Sequence, residues 1–421
     1  MRPWTDRLIR LAVLLLAGSA LFAACSSSDS PVSPFEARAI PQEFAGDVAS
    51  VVAGNNAFAF DLYHVFRTDD GNLFFSPFSI STALAMTYAG AAGQTELEMA
   101  EVLHFTLGRE ALHPAYGALL ESVDRGNALP NYTLETANRL WTATTYTFQE
   151  EFLNTTREDY GAEAARTDFA ADPEGARTRI NDWVAARTHE RISDLFPAGT
   201  ITTQTALVLA NAIYFQGSWE TRFDPAATRS ETFFVSPDRE VTVPLMHGRP
   251  KALFGHTDGV YFLELPYSGE DLSMELLLPE RKDGLAALET ALSEETLSRW
   301  RDHASEQEPE VYLPRFSFRW KNRLAATLTA LGMPSAFDPM RADFSRMTGH
   351  RNLKIDRVLH QAFVTVNEEG TEAAAATGGG FGPTSVPDQF RADHPFVFLI
   401  RDRVTGAVLF LGRVIDPGAS A

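Results

Sequence analysis

The period of the apolar residues changes part-way along the chain, and that change excludes most folds. From Phe44 to about Arg67, Val48, Val51, Val52, Phe58, Leu62, Val65 and Phe66 recur at helical spacing, which predicts an amphipathic helix. A second helix is expected over SPFSISTALAMTYAG, with Ser76 as its cap, Pro77 in the first helical position and Gly90 past its end. INDWVAARTHERISDLF reads as a further helix, stopped by Pro197 and Gly199. After Leu207 the runs become strand-like: LVLANAIYF, YFLELPY, LSMELLLP and VYLPRFSF, then PFVFLIRD and AVLFLGRV joined through RVTG as a hairpin. Helices therefore cluster early and strands late. With no βαβ alternation and no internal repeat, the expected class is α+β, with helices packed on a large mixed sheet.

The chain has 421 residues, 45% of them apolar, enough for a large core. At its N-terminus Arg2, Arg7 and Arg10 precede an apolar run from Leu11 to Leu16 and then small residues ending at Cys25. That run is far shorter than the ~20 residues a bilayer needs, so residues 1–24 read as a signal peptide. Cys25 is the single cysteine and cannot form an internal disulfide. Following Phe22-Ala23-Ala24, it resembles the lipidated cysteine of bacterial lipoproteins, with Phe22 where these usually carry Leu. The alternative is ordinary cleavage near Ala24, leaving a free thiol. SSSDSPVSP lacks the apolar residues to fold, so 25–43 reads as a lipidated Cys with a flexible tether and 44–421 as the folded domain. The expected location is outside the cytoplasm: anchored at the cell envelope or surface by lipid only, or secreted.

Removing residues 1–24, which hold three Arg and one Asp, takes the formal charge from −19 to −21. Such a chain is a poor partner for nucleic acid, whose phosphates demand clustered cations. No nucleophile elbow, phosphate loop or dinucleotide fingerprint occurs, and HERIS at 189–193 lacks the second His of a zinc HExxH motif. The ten His are scattered, with no pair at metal-ligand spacing. A secreted hydrolase thus finds no support, and neither a metal nor a cofactor is expected. What stands out is residues 368–394, a long, weakly apolar stretch between LHQAFVTV and the last hairpin; such segments inside compact domains are usually functional or disordered.

NLFFSPFSISTALAMTYAGA, LETANRLW, INDWVAARTHERISDLFP, LVLANAIYFQGSWE, LELPY, LSMELLLP, LPRFSF, HQAFVTVNEEGTEAAAAT and HPFVFLIRD resemble the serpin family, in its order and at its spacing, nearly from Phe44 to Pro417. The resemblance implies a monomeric inhibitor of proteases rather than an enzyme. It implies a central sheet whose middle strands part, smaller sheets, and an exposed reactive loop that is cut and inserts as a new strand, trapping the protease. Serine proteases are the expected partners, or a cysteine protease. A non-inhibitory member, acting as carrier or chaperone, is the alternative.

The hinge implied by the resemblance is Glu368, Glu369, Gly370, Thr371, Glu372, Ala373, Ala374, Ala375 and Ala376. If Thr371 faces the core on insertion, period two puts Ala373, Ala375, Thr377, Gly379 and Phe381 on the same face and the charge of Glu372 outward. No core-facing charge or internal Pro blocks this strand. The glycine triplet weakens it by ~0.5–1 kcal/mol per residue. Thr371 is expected among the first residues buried during insertion. The family's scissile bond lies fourteen residues beyond the hinge glycine, and eleven before the proline of HPFVF; counted from Gly370 and from Pro395, both give Thr384-Ser385. A small β-branched Thr suits elastase-like enzymes; cleavage after Phe381 is the runner-up and would suit chymotrypsin-like or subtilisin-like ones.

Ser76, Ser79, Asn211 and His360 match the family's shutter, a polar network beneath the sheet, and Trp219 its breach at the sheet's top. Taken singly, each has a plain structural reading: a cap, a strand amide, a satisfied core histidine, a core aromatic. Glu368 is expected to pair with Arg315; an exposed pair would contribute only ~0–1 kcal/mol.

Overall fold

The computed structural model describes residues 38–127, 132–162, 164–371 and 388–419. Cys25, residues 372–376, Phe381, Thr384 and Ser385 lie outside them.

The expected first helix forms as α1 (Ala45–Phe66) and the second as α2 (Pro77–Tyr88). Ser76 caps α2 through its side chain, which accepts from the Ser79 amide at 3.0 Å, and Pro77 fills the first turn where no donor is needed. Every residue of α2 is buried, so it crosses the core rather than lying on a surface. A helix over Arg109–Asn127 (α3) packs beside α1. The helix read from INDWVAARTHERISDLF is Pro173–Arg187 (α4), and it stops nine residues short of Phe196. His189 and Glu190 adopt positive φ of 47° and 61°, and Asn181 grips the returning Phe196 backbone with two 2.9 Å hydrogen bonds. Among the described residues no helix is long and apolar enough to cross a membrane.

The strands form three sheets. A seven-stranded one contains the C-terminal hairpin Phe396–Asp402 and Val408–Val414, antiparallel as expected. A four-stranded one includes Glu310–Pro314. The third is mixed and central, built from β1 (Tyr132–Ala143), β2 (Ala165–Thr167), β3 (Leu207–Ser218), β4 (Phe316–Arg323), β5 (Arg357–Val366) and the two-residue β6 (Gly370–Thr371). Its order is β4-β5-β3-β1-β2, with β6 attached to β3. VYLPRFSF, read as one strand, is divided between two sheets: it bends at Arg315, directly after a proline that cannot donate to a ladder.

Both faces of the central sheet are covered. Ile213 and Phe215 belong to the main core with α1 and α2, while Val208, Ala210 and Ala212 meet Ala176, Ile180 and Val184 of α4. That two-sided burial explains why LVLANAIYF is apolar without alternation. The packed chain also starts before Phe44: Arg38 is fully buried among Ser122, Asp271 and Asp402.

Candidate functional site

β5 and β3 lie side by side in parallel, but only over part of their length. The register runs from Arg357↔Val208 to Ala362↔Ile213 and stops, leaving residues 363–366 unpaired with β3. In the widened space the chain turns back. Asn367 and Gly370 bond to each other, and Gly370↔Ser218 and Thr371↔Gly217 then pair antiparallel with β3, on the side facing β5. Gly370 has φ of +144°, and a Cβ there would lie 2.1 Å from the Gly217 carbonyl oxygen, so only glycine makes this approach.

Trp219 closes this end. Its Nε1 donates to the Asn367 carbonyl at 3.0 Å, and its ring stacks on Tyr267 at 4.8 Å. The Tyr267 hydroxyl in turn meets Thr371 Oγ1 at 2.9 Å. Burial pushes the Tyr267 hydroxyl up from its ordinary pKa, so it stays protonated. Thr371, 1% exposed, is thus buried while β5 and β3 remain paired from Arg357↔Val208 to Ala362↔Ile213. This corrects the expectation that its burial awaits insertion: a β-branched residue facing an aromatic hydroxyl is already satisfied there.

Glu368 sits just below. Arg315 Nε donates to its Oε1 at 2.7 Å, and Thr228 Oγ1 donates to the same oxygen. The carboxylate end of this pair is buried, with Glu368 4% exposed, while its Arg partner is open to solvent. Burial works against the charge, but the bonds from Arg315 and Thr228 outweigh it and hold the carboxyl below its ordinary range. The bend between the two sheets at Arg315 is what delivers that guanidinium.

Lower in the seam, Ser76, Ser79, Asn211 and His360, grouped by the resemblance, are linked by hydrogen bonds. His360 Nε2 accepts from the Ser76 amide at 3.1 Å, which leaves the proton on Nδ1 to be donated to Asn211 Oδ1. Asn211 Nδ2 donates to Ser79 Oγ at 2.8 Å and to Asn138 Oδ1 at 2.7 Å. Ser76 Oγ donates to the Leu409 carbonyl at 2.7 Å, tying the network to the seven-stranded sheet. His360 is wholly buried, and burial lowers its pKa to about 3, so the imidazole is neutral. Asn211 lies opposite His360 on β5 and Asn138 on β1, so the network crosses the seam itself.

Four participants were not singled out from sequence: Asn138, Thr228, Tyr267 and Asn367. Asn138 had a signal, since it is an amide on the apolar face of a strand in LETANRLW. Among the described residues no group of three or more His, Asp or Glu could hold a metal. The arrangement leaves residues 363–366 of β5 unpaired with β3, with polar contacts above and below.

Comparison with known proteins gives the same reading. Residues 53–417 match the family model described as Serpin (serine protease inhibitor). Leukocyte elastase inhibitor of Sus scrofa is 42% identical over 377 residues, covering 87% of this chain and 99% of that one. An uncharacterized serpin-like protein of Methanosarcina acetivorans is 37% identical over 370 residues, covering 87% and 86%. Among solved structures, uncleaved ovalbumin aligns with a TM-score of 0.79 at 30% identity, covering 87% of this chain and 100% of that one. Human thyroxine-binding globulin aligns with 0.79 at 30%, covering 89% and 100%. With a family model matching residues 53–417 and a relative 42% identical over 87% of its length, this chain belongs to the serpin family.

Proposed function

We propose that the protein is an inhibitory serpin, a suicide substrate cut at Thr384-Ser385 whose loop then inserts between β3 and β5. The observation that carries this is the antiparallel start at Gly370 and Thr371, already seated beside β3 where β5 has let go. Continuing that register sets Glu372 opposite Gln216, Ala373 opposite Phe215 and Ala375 opposite Ile213. Phe215 and Ile213 belong to the main core, so Ala373 and Ala375 follow Thr371 inward and Glu372 points away. The first residues after Thr371 meet no ladder partner of β5; from Ala375 onward the six register pairs between β5 and β3 must part. The His360–Asn211 bond lies among those six. An inserted strand of about fourteen residues spans roughly 45 Å, enough to carry a bound protease across a domain.

Elastase-like serine proteases are the leading targets, from the small Thr384 and from relatives named leukocyte elastase inhibitors. Chymotrypsin-like or subtilisin-like enzymes come second, with cleavage after Phe381. Cys25 is the proposed lipid attachment, placing the inhibitor at the cell envelope or surface. A carrier role has one point in favour, a solved neighbour named for binding thyroxine. The alanine-rich stretch after Thr371 argues for insertion instead. Incubation with a panel of proteases tests the reading. It predicts an SDS-stable complex with an elastase-like enzyme and cleavage after Thr384; plain cleavage, with no complex and no gain in thermal stability, overturns it.

A further inference from the structure

Opening the seam separates β3, β1 and β2 from β5 and β4. β1 and β3 share eleven register pairs against the six between β3 and β5, so β1 travels with β3. Two of the ties between the Ser218 end of this moving half and the seven-stranded sheet stand out. One is the bridge between Trp219 and Tyr267. The other starts at Tyr132 on β1, which stands opposite Gly217, itself opposite Thr371. The Tyr132 hydroxyl donates to Asp271 Oδ2 at 3.0 Å, immediately before the strand Leu272–Pro279.

That carboxylate is held by Arg38. The guanidinium donates through Nη1 to Asp271 Oδ2 at 2.9 Å, through Nη2 to Asp402 Oδ2 at 2.5 Å and through Nε to the Ser122 carbonyl at 3.1 Å. Ser122 Oγ donates back to the Arg38 carbonyl at 2.6 Å. Arg38, Asp271, Asp402 and Ser122 are fully buried. Gly126 of α3 lets the group close up, because a Cβ there would lie 2.0 Å from the Tyr132 hydroxyl. A buried ion cluster of this kind contributes little bulk stability that apolar side chains would not match, whereas it fixes geometry.

We propose that Arg38, Asp271 and Tyr132 form a latch restraining the moving half of the sheet, which makes them positioning residues for loop insertion. This inference rests on the inhibitory reading above. The latch is closed by Arg38, inside the stretch 25–43 read from sequence as a tether, so that stretch acts on the end of the sheet where the loop enters. Differential contact is the physical requirement: the Tyr132–Asp271 bond joins a part that moves to a part that stays, and so favours the closed sheet.

Tyr132→Phe tests it in the full chain, since it removes the hydroxyl and keeps the ring beside Phe215. Losing one hydrogen bond to a buried carboxylate should speed insertion about tenfold or more. The readouts are the rate at which intact protein loses inhibitory activity while gaining thermal stability, and the stoichiometry of inhibition at an unchanged association rate. Arg38→Gln and the gentler Ser122→Ala should move both in the same direction. A merely structural defect lowers the unfolding midpoint without lowering the stoichiometry. Wild-type insertion with unchanged rate and stoichiometry in Tyr132→Phe and Ser122→Ala overturns the latch alone. A wild type that never inserts after cleavage overturns the inhibitory reading with it.

Discussion

Acid should open the seam through His360. In the folded protein its pKa is lowered from 6.5 to about 3 by burial, so the native state refuses a proton that the unfolded chain accepts. Stability is therefore full above the unfolded value and is lost as the pH falls from about 6.5 towards about 3. Between pH 7.5 and pH 5 the loss from this one residue is about 2 kcal/mol. The atoms explain the direction: a protonated Nε2 can no longer accept from the Ser76 amide, and a charge would sit in a wholly buried site. His113, lowered to about 4 by burial with Arg109 nearby, adds a similar loss of its own. Comparing wild type with His360→Gln cancels that background. Urea unfolding followed by tryptophan fluorescence should show the variant losing about 2 kcal/mol less than wild type over this range. Equal losses in the two proteins would refute the assignment of the neutral imidazole to the seam.

Four further outcomes are expected. Thr371→Arg forces a guanidinium into the space beside Tyr267, so it should lower the thermal midpoint of the uncut protein and also abolish the SDS-stable complex, leaving a plain substrate; a variant that traps as well as wild type sinks the insertion model. Arg315→Ala leaves the buried Glu368 with Thr228 as its remaining side-chain donor and should cost about 1–3 kcal/mol in a denaturant titration, a loss that Glu368→Gln in the same background should partly reverse. Cys25→Ser should move the protein from the membrane to the soluble fraction, and Thr384→Arg should redirect it to trypsin-like enzymes, with mass spectrometry locating the cut; cleavage of wild type after Phe381 would displace the proposed register.

Local signals served well where local physics decides. Ser76-Pro77 marked the start of α2 because capping involves only neighbouring residues, and the final hairpin followed from its turn. The α4 boundary was missed because Asn181 and Phe196, fifteen positions apart, decide it through the backbone. Tertiary placement also split the strand at Arg315, whose side chain answers to Glu368 in another element. Arg38 was invisible for a different reason. A lone arginine after a Ser/Pro-rich tether looks solvated until Ser122, Asp271 and Asp402 are brought around it from distant segments. Ser76, Ser79, Asn211 and His360 could be grouped only through resemblance, since a strand asparagine or a core histidine has no periodic signature, and Asn138, which joins their network, shows what that route leaves out.

The direction of the strands bounding the seam has a consequence of its own. β4 runs antiparallel to β5, and β1 antiparallel to β3, while β5 and β3 run the same way. A newcomer between two antiparallel neighbours must lie parallel to one of them. Between two parallel neighbours it can oppose both, and the chain leaving β5 through the turn at Asn367 and Gly370 arrives in that opposing sense. Filling the seam would therefore exchange one slanted parallel ladder for two antiparallel ones, the slightly stronger kind. It would also turn β5 and its successor into an ordinary hairpin. Among the described residues β5 takes its parallel partner from β3, distant in sequence, and chain polarity alone makes the space between them the natural place for a more local pairing.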